Sequence, residues 1–243
     1  MLPLRREKQA GEYNPLMTQR YVAEPAVLVE GHRVYLYMTA DQMKLDENGA
    51  TIPNQYGVVS QIAVSYSDDL CNWTDCGYIQ VAGKDGIAPW AHFASSPAIA
   101  KVERENGQAT YYLYFSNGPD GIGVLTGETP LGPFIDPLGR PLIDRSTPNC
   151  ANIPWIFDPS VLLDTDGSSY LYFGGGVMAS SQSARPAAMR VVKLTQDMLG
   201  LEGMPVVLDL PYTYESGSIN KIENKYYFSY CTNWEVDDDT CEE

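Results

Sequence analysis

One pattern recurs four times along this chain: a short apolar strand, a polar turn, and a second strand crowded with tyrosine. The copies are EPAVLVEGHRVYLYM (Glu24 to Met38), SPAIAKVERENGQATYYLYF (Ser96 to Phe115), DPSVLLDTDGSSYLYF (Asp158 to Phe173) and ESGSINKIENKYYFSY (Glu215 to Tyr230). A repeat that builds a small antiparallel sheet predicts a β-propeller, whose blades set their first strands around a central axis. In three of the copies the opening residue is a carboxylate: Glu24, Asp158 and Glu215. Read as one structural position, these acids should meet at the axis although they lie far apart in sequence. Converging carboxylates point to acid/base chemistry.

Each of the first three hairpins is followed by material for two outer strands: SQIAVSYSDDLCNWTDCGYIQV, GIGVLTGETPLGPFIDPLGRPLI and MRVVKLTQDMLGLEGMPVVL. Four strands per repeat are what a blade requires. The fourth repeat supplies two, so about three and a half blades are encoded. Helical periodicity is nearly absent, and 21 Gly with 17 Pro interrupt the chain too often for long helices. The expected fold is therefore all-β. Residues 1–20 read as an N-terminal arm, with Asn14-Pro15-Leu16 tucked against the first blade. Residues 21–243 read as one propeller domain whose last blades are missing.

The bulk numbers narrow the function. A net charge of −15 argues against nucleic acid and anionic lipid as partners, because both would be repelled. Part of that charge sits at the C-terminus in Asp237, Asp238, Asp239, Glu242 and Glu243, read as a solvated end. No apolar stretch reaches the roughly 20 residues that a spanning helix needs. The opening MLPLRREKQAGEYNP carries charge but no apolar signal-peptide core, which reads as cytoplasmic, or as secreted if the N-terminus has been trimmed. The five cysteines (Cys71, Cys76, Cys150, Cys231 and Cys241) have neither metal-ligand spacing nor an even count, so free thiols and no metal site are expected, with a Cys71–Cys76 bridge as the alternative. Gly174-Gly175-Gly176 follows a strand with no helix behind it and reads as a turn, not a phosphate loop.

Several long segments, in order, resemble glycoside hydrolase family 43, within it the arabinoxylan arabinofuranohydrolase type. They are NPLMTQRYVAEPAVLVEGHRVYLYM, GIGVLTGETPLGPFIDPLGRPLI, RSTPNCANIPWIFDPSVLLDTDGSSYLYFGGG and YESGSINKIENKYYFSYCTN. The resemblance implies a five-bladed propeller and an inverting glycosidase that removes α-L-arabinofuranose or β-D-xylose from plant polysaccharides. It implies that Glu215, in YESGSINK, is the general acid and that Asp158, in FDPS, orients that acid and raises its pKa. Glu24, in AEPA, stands where the family usually has an Asp general base. The implied partner is an arabinose- or xylose-containing polysaccharide or oligosaccharide. No cofactor is implied, although related enzymes hold a calcium ion or a water cluster on the propeller axis with help from a histidine of the last blade.

The chemistry accounts for the acids. An inverting glycosidase needs one protonated carboxyl to donate to the leaving oxygen and one carboxylate to activate water, roughly 6.5–9.5 Å apart. A further carboxylate nearby disfavours ionisation of the acid, so Glu215 should titrate high and Glu24 should stay ionised. Trp155, three residues before Asp158, is a candidate wall for the pentose, with a core position as the alternative. Trp90 is a second candidate platform, and His92 a candidate cleft residue, while His32 falls in a hairpin turn. Three other readings stay open: a β-xylosidase or arabinan-directed hydrolase, a propeller that binds pentose-containing glycans without turnover, and a protein-interaction propeller.

Overall fold

A computed structural model of the chain describes residues 14–18, 20–41, 44–52, 59–104, 107–176 and 184–232. The acidic C-terminal cluster, Cys241 and most of the expected N-terminal arm lie outside them. The described residues are all-β, and no helix among them is long and apolar enough to cross a membrane. The first blade is a four-stranded antiparallel sheet of β1 (Tyr21–Glu30), β2 (Arg33–Asp41), β5 (Gln61–Ser67) and β6 (Thr74–Gln80), in that order. A short hairpin of β3 (Lys44–Leu45) and β4 (Thr51–Ile52) sits in its β2–β5 connection. The second blade runs from β7 (Ser95–Glu103) through β8 (Ala109–Ser116) to β9 (Gly121–Gly127). Its outer edge consists of β10 (Phe134–Ile135) and β11 (Ile143–Asp144), both paired to β9. The third blade is β12 (Ser160–Leu163), β13 (Ser169–Gly174), β14 (Met189–Leu194) and β15 (Leu201–Leu208). A hairpin of β16 (Thr213–Ile222) and β17 (Lys225–Thr232) begins the fourth.

The expected four-strand pattern therefore holds in blades one and three and is cut short at the rim of blade two. There Pro133, Pro137 and Pro141 punctuate the stretch that was read as a single outer strand. Proline cannot donate to a ladder, and only two-residue strands form there, β10 between Pro133 and Pro137 and β11 beyond Pro141.

The tyrosine-rich second strand of blade two is buried nearly throughout because a middle blade is covered on both faces. Along β8, Tyr111, Leu113 and Phe115 enter the core shared with blade one, beside Tyr35, Tyr37 and Val64. The alternate residues Tyr112 and Tyr114 enter the core shared with blade three, beside Leu171, Phe173 and Val192. This is the period-2 alternation of a strand with an apolar partner on each side. Tyrosine suits the position because its ring fills the core while its hydroxyl reaches an acceptor at the edge: Tyr114 donates to the Met198 carbonyl at 3.0 Å and Tyr37 to the Pro130 carbonyl at 2.5 Å. On the face of blade one turned away from blade two, Met17, in the described part of the arm, packs with Leu36, Met38 and Trp73. Val27 and Val29 of β1 remain exposed.

Adjacent blades are also tied by a polar device that occurs twice. At the end of β1, Glu30 accepts from Lys101 at 2.9 Å and from the Tyr111 hydroxyl, both in blade two. Just past β12, Asp164 accepts from Lys221 and from the Tyr226 hydroxyl at 2.6 Å, both in the fourth blade. In each case the lysine and the tyrosine face one another across their own hairpin, Lys101 with Tyr111 and Lys221 with Tyr226.

Candidate active site

Blades one, two and four open on a β-bulge, and blade three on an equivalent pair just before its first strand; these openings define the axis. Glu24 and Pro25 lie opposite the single residue Met38, Ser96 and Pro97 opposite Phe115, and Ser216 and Gly217 opposite Tyr230. Asp158 and Pro159 occupy the same place just before β12. The first residue of each pair is left-handed, with φ of 53° at Glu24, 45° at Ser96, 50° at Asp158 and 58° at Ser216. Such a conformation costs about 1–3 kcal/mol in a residue that is not glycine, and it collects at functional sites. Proline suits the second position because a bulged residue has no ladder hydrogen bond to donate.

This geometry corrects the sequence reading in one respect. The fourth member of the set is Ser216, and Glu215 precedes it by one residue, paired to Cys231 at the start of β16. The three acids thus do not share one structural position, and Ser96 and Ser216 complete the axial ring with Glu24 and Asp158. The acids nevertheless form one electrostatic group, since the charge of Glu24 acts on both Asp158 and Glu215.

The axial cavity has a volume of about 440 Å³ and is lined by the four openings and the strand residues that follow them, from Glu24 to Val27, Ser96 to Ile99, Asp158 to Val161 and Ser216 to Asn220. Of the three acids Glu24 is the exposed one. Its Oε2 accepts from the Thr39 hydroxyl at 2.5 Å and from the Ser96 N–H at 3.1 Å. Asp158 is buried, 8% exposed. Its Oδ2 accepts from the Ser216 N–H at 3.0 Å, its own N–H donates to Ser116 Oγ at 3.0 Å, and Oδ1 has no hydrogen bond of ordinary geometry. Burial, with the charges of Glu24 and then Glu215, pushes Asp158 up to about 6, against the Ser96 hydroxyl and Ser216 N–H, which favour its ionised form.

Glu215 is half-buried, and no hydrogen bond among the described residues stabilises its carboxylate. Burial first and the Glu24 charge second raise its pKa. The direction is the one expected for a proton donor, although the neighbour that acts on it is Glu24 and not Asp158. Gly175 allows the approach of this strand: a Cβ there would lie 2.8 Å from the Tyr214 carbonyl oxygen and 3.2 Å from Glu215 Cα.

The aromatic candidates stand outside the cavity lining. Trp155 is half-buried and meets Phe157 and Tyr214 edge-on, with ring centroids 5.4 and 5.5 Å apart. These three rings flank Asp158 and Glu215 in sequence, and Arg145 steadies their loop by donating to the Ile153 and Pro154 carbonyls at 2.8 and 3.0 Å. Trp90 stacks on buried Phe115 at 5.9 Å and donates from its indole to Asp136 at 2.7 Å, which makes it part of the wall between blades one and two. His92 is exposed, and its backbone N–H is bound by Asn117 Oδ1 at 2.9 Å. His32 lies in its turn, as read. Cys71, Cys76, Cys150 and Cys231 are free thiols. Among the described residues no three His, Cys, Asp or Glu side chains are gathered so as to hold a metal ion. The described part of the axis is ringed by serine and proline with Glu24 and Asp158, whose carboxylates accept from N–H and hydroxyl donors.

The model of the glycosyl hydrolases family 43 matches residues 13–240. The chain belongs to this family. An arabinoxylan arabinofuranohydrolase of Paenibacillus polymyxa is 43% identical over 236 residues, covering 93% of this chain and 37% of that protein. The crystal structure of a family 43 arabinoxylan arabinofuranohydrolase from Bacillus subtilis in complex with cellotetraose superposes with a TM-score of 0.88 at 40% identity, covering 93% of this chain and 49% of that one. An α-L-arabinofuranosidase from Clostridium thermocellum superposes with a TM-score of 0.71 at 35% identity, over 94% of this chain and 69% of that one. The chain thus spans about half or less of the arabinofuranohydrolases it matches. The blades described above are a partial set of the five-bladed family 43 propeller.

The residues that the sequence reading missed are Thr39, Ser96, Ser116 and Ser216. Three of them had a signal: Ser96 opens the second copy, and Thr39 and Ser116 directly follow the tyrosine-rich runs of the first two, in YMT and YFS.

Proposed function

We propose that this chain carries the catalytic centre of an inverting glycosidase that releases α-L-arabinofuranose from arabinoxylan or a related pentose polysaccharide. The observation that carries the reading is the trio of electrostatically coupled carboxyls in a family 43 propeller, one anchored and exposed, one buried, and one raised without a hydrogen bond to its ionised form. Glu215, protonated, donates to the glycosidic oxygen as the bond to the anomeric carbon breaks. Glu24, ionised, takes a proton from the water that attacks the opposite face of that carbon, and the product has inverted configuration. Asp158 holds the opening of the Glu215 strand through the Ser216 N–H. Trp155, with Phe157 and Tyr214, offers an apolar wall for the pentose ring.

The names of the arabinofuranohydrolase relatives favour arabinofuranose as the released sugar. The test is arabinose release from arabinoxylan by the chain and by Glu215→Gln. The expected result is release by the parent and a loss of about 10²- to 10⁴-fold in the variant, the usual range for a removed general acid. Equal release by both would refute the assignment of Glu215. Binding of the polysaccharide without release by the parent would favour the glycan-binding reading.

A further inference from the structure

We propose that Thr39 is the positioning residue for the Glu24 carboxylate: it fixes Oε2 and leaves Oε1 to receive the proton of the attacking water. The inference rests on the glycosidase reading above and gives Glu24 a defined working oxygen. Thr39 is a buried polar residue, 4% exposed, placed across the ladder from Ala23, which immediately precedes Glu24. Its Oγ1 accepts the Ser96 N–H at 2.7 Å. A hydroxyl has one proton to give, and here it goes to Glu24 Oε2 at 2.5 Å. The Ser96 N–H reaches the same oxygen at 3.1 Å. Both donors thus converge on one oxygen of a side chain that is otherwise exposed and has three rotatable bonds. Among the described residues Oε1 takes no hydrogen bond.

A comparison within the molecule separates two roles of this hydroxyl. Ser116 ends β8 as Thr39 ends the pairing of β2 with β5, and its Oγ accepts the N–H of the next blade's opening residue, Asp158, at 3.0 Å. That part is shared and structural. Blade two opens on Ser96, so Ser116 has no carboxylate of its own blade to hold. Thr39 performs the capping role and, in addition, orients Glu24. A carboxylate displaced by about 1 Å can cost a reaction about 100-fold, so the anchoring contact should be visible in turnover.

The experiment measures kcat and KM on 4-nitrophenyl α-L-arabinofuranoside for the chain, Thr39→Val and Thr39→Ser, each with Glu24 intact and with Glu24→Gln. Thr39→Val should lower kcat by about 10- to 100-fold with little change in KM. Thr39→Ser, which keeps the hydroxyl, should recover most of that loss. With Glu24→Gln in place, Thr39→Val should add little, because the two residues act as a unit. A parent-like kcat in Thr39→Val, equal losses in Val and Ser, or additive losses with Glu24→Gln would each overturn the positioning role. A parent chain that turns over no substrate would overturn the glycosidase reading and this inference with it, whereas an active parent with an unaffected Val variant overturns this inference alone. Melting curves accompany each variant. If Thr39→Val does not fold, Thr39→Ala, which has no branched methyl to misplace, is judged by the same criteria.

Discussion

Replacing Asp158 by Asn should make this fold more stable near neutral pH while removing its proposed part in catalysis. The side chain is 8% exposed, and its Oδ1 has no hydrogen bond. It titrates at about 6 in the folded chain, against about 3.9 for an unperturbed Asp. The folded state therefore binds this proton more tightly than the unfolded state. Below 3.9 both states are protonated and the site costs nothing. As pH rises from there towards 6 the unfolded carboxyl ionises first and stability falls, and above 6 the loss is complete. Two pKa units at 1.36 kcal/mol each place that loss at about 3 kcal/mol at pH 7.5, and the same linkage relation leaves about 0.5 kcal/mol at pH 4. Asparagine keeps an oxygen for the Ser216 N–H but brings an amide nitrogen that must find an acceptor, which offsets about 1 kcal/mol. The net gain is about 2 kcal/mol at pH 7.5, or a rise of about 4–8 °C in Tm for a chain of this size, and no gain at pH 4. Calorimetric melting of parent and variant at both pH values, with arabinose release measured alongside, tests it. A Tm difference that is the same at pH 4 and 7.5 would refute the claim that an ionised, buried carboxylate is what strains the site.

Two further outcomes follow from the blade junctions and the axial strand. Lys221→Met should lower Tm at pH 7, because Lys221 and Tyr226 hold the Asp164 carboxyl well below the usual range. Stability from a depressed carboxylate is present above the unfolded value and is lost as pH falls through the folded one, so parent and variant should converge on strong acidification in a melting series. Gly175→Ala should lower kcat by about 10- to 100-fold, because its Cβ would meet the Tyr214 carbonyl and press on the strand that carries Glu215. Crystal structures of the variant would show that strand displaced, and an unmoved Glu215 with full turnover would contradict the argument.

The blades were legible because every blade needs the same hairpin, and a strand buried on both faces writes an uninterrupted apolar run such as Tyr111 to Phe115. Glu24, Asp158 and Glu215 were legible as a group for the same reason. The offset of Glu215 was not. The axial position is defined by a left-handed residue in a bulge, and Glu24, Ser96, Asp158 and Ser216 share no side-chain signature for that conformation, as glycine would have supplied. Aligning the copies on their acids placed Glu215 where Ser216 belongs. The junction devices were hidden for a different reason: Glu30, Lys101 and Tyr111 are unremarkable singly, and only the adjacency of two blades brings them together. Trp90 was a candidate platform by resemblance to the family, yet its indole N–H and its ring are both committed to Asp136 and Phe115.

The two classes of contact have a common arrangement that bears on why the acids differ. Blade one reaches into blade two, and blade three into the fourth, by the same pair of contacts: an axial carboxylate on the next blade's opening N–H, and an acid–lysine–tyrosine set at the other end of the inner strand. Between blades two and three neither contact is repeated, since Ser96 and Val102 stand where the acids would be. Because Ser216 answers to Asp158 in this scheme, its N–H is already taken, and a carboxylate in its place would set a charge on the residue that donates to Asp158. One residue upstream, Glu215 escapes that donor set. It keeps the charge of Glu24 as its electrostatic neighbour and lacks the hydrogen bonds that would hold it ionised. At the position that breaks the repeat, Glu215 is thus raised by burial and by Glu24 with no hydrogen bond to its ionised form, which is the direction a general acid requires.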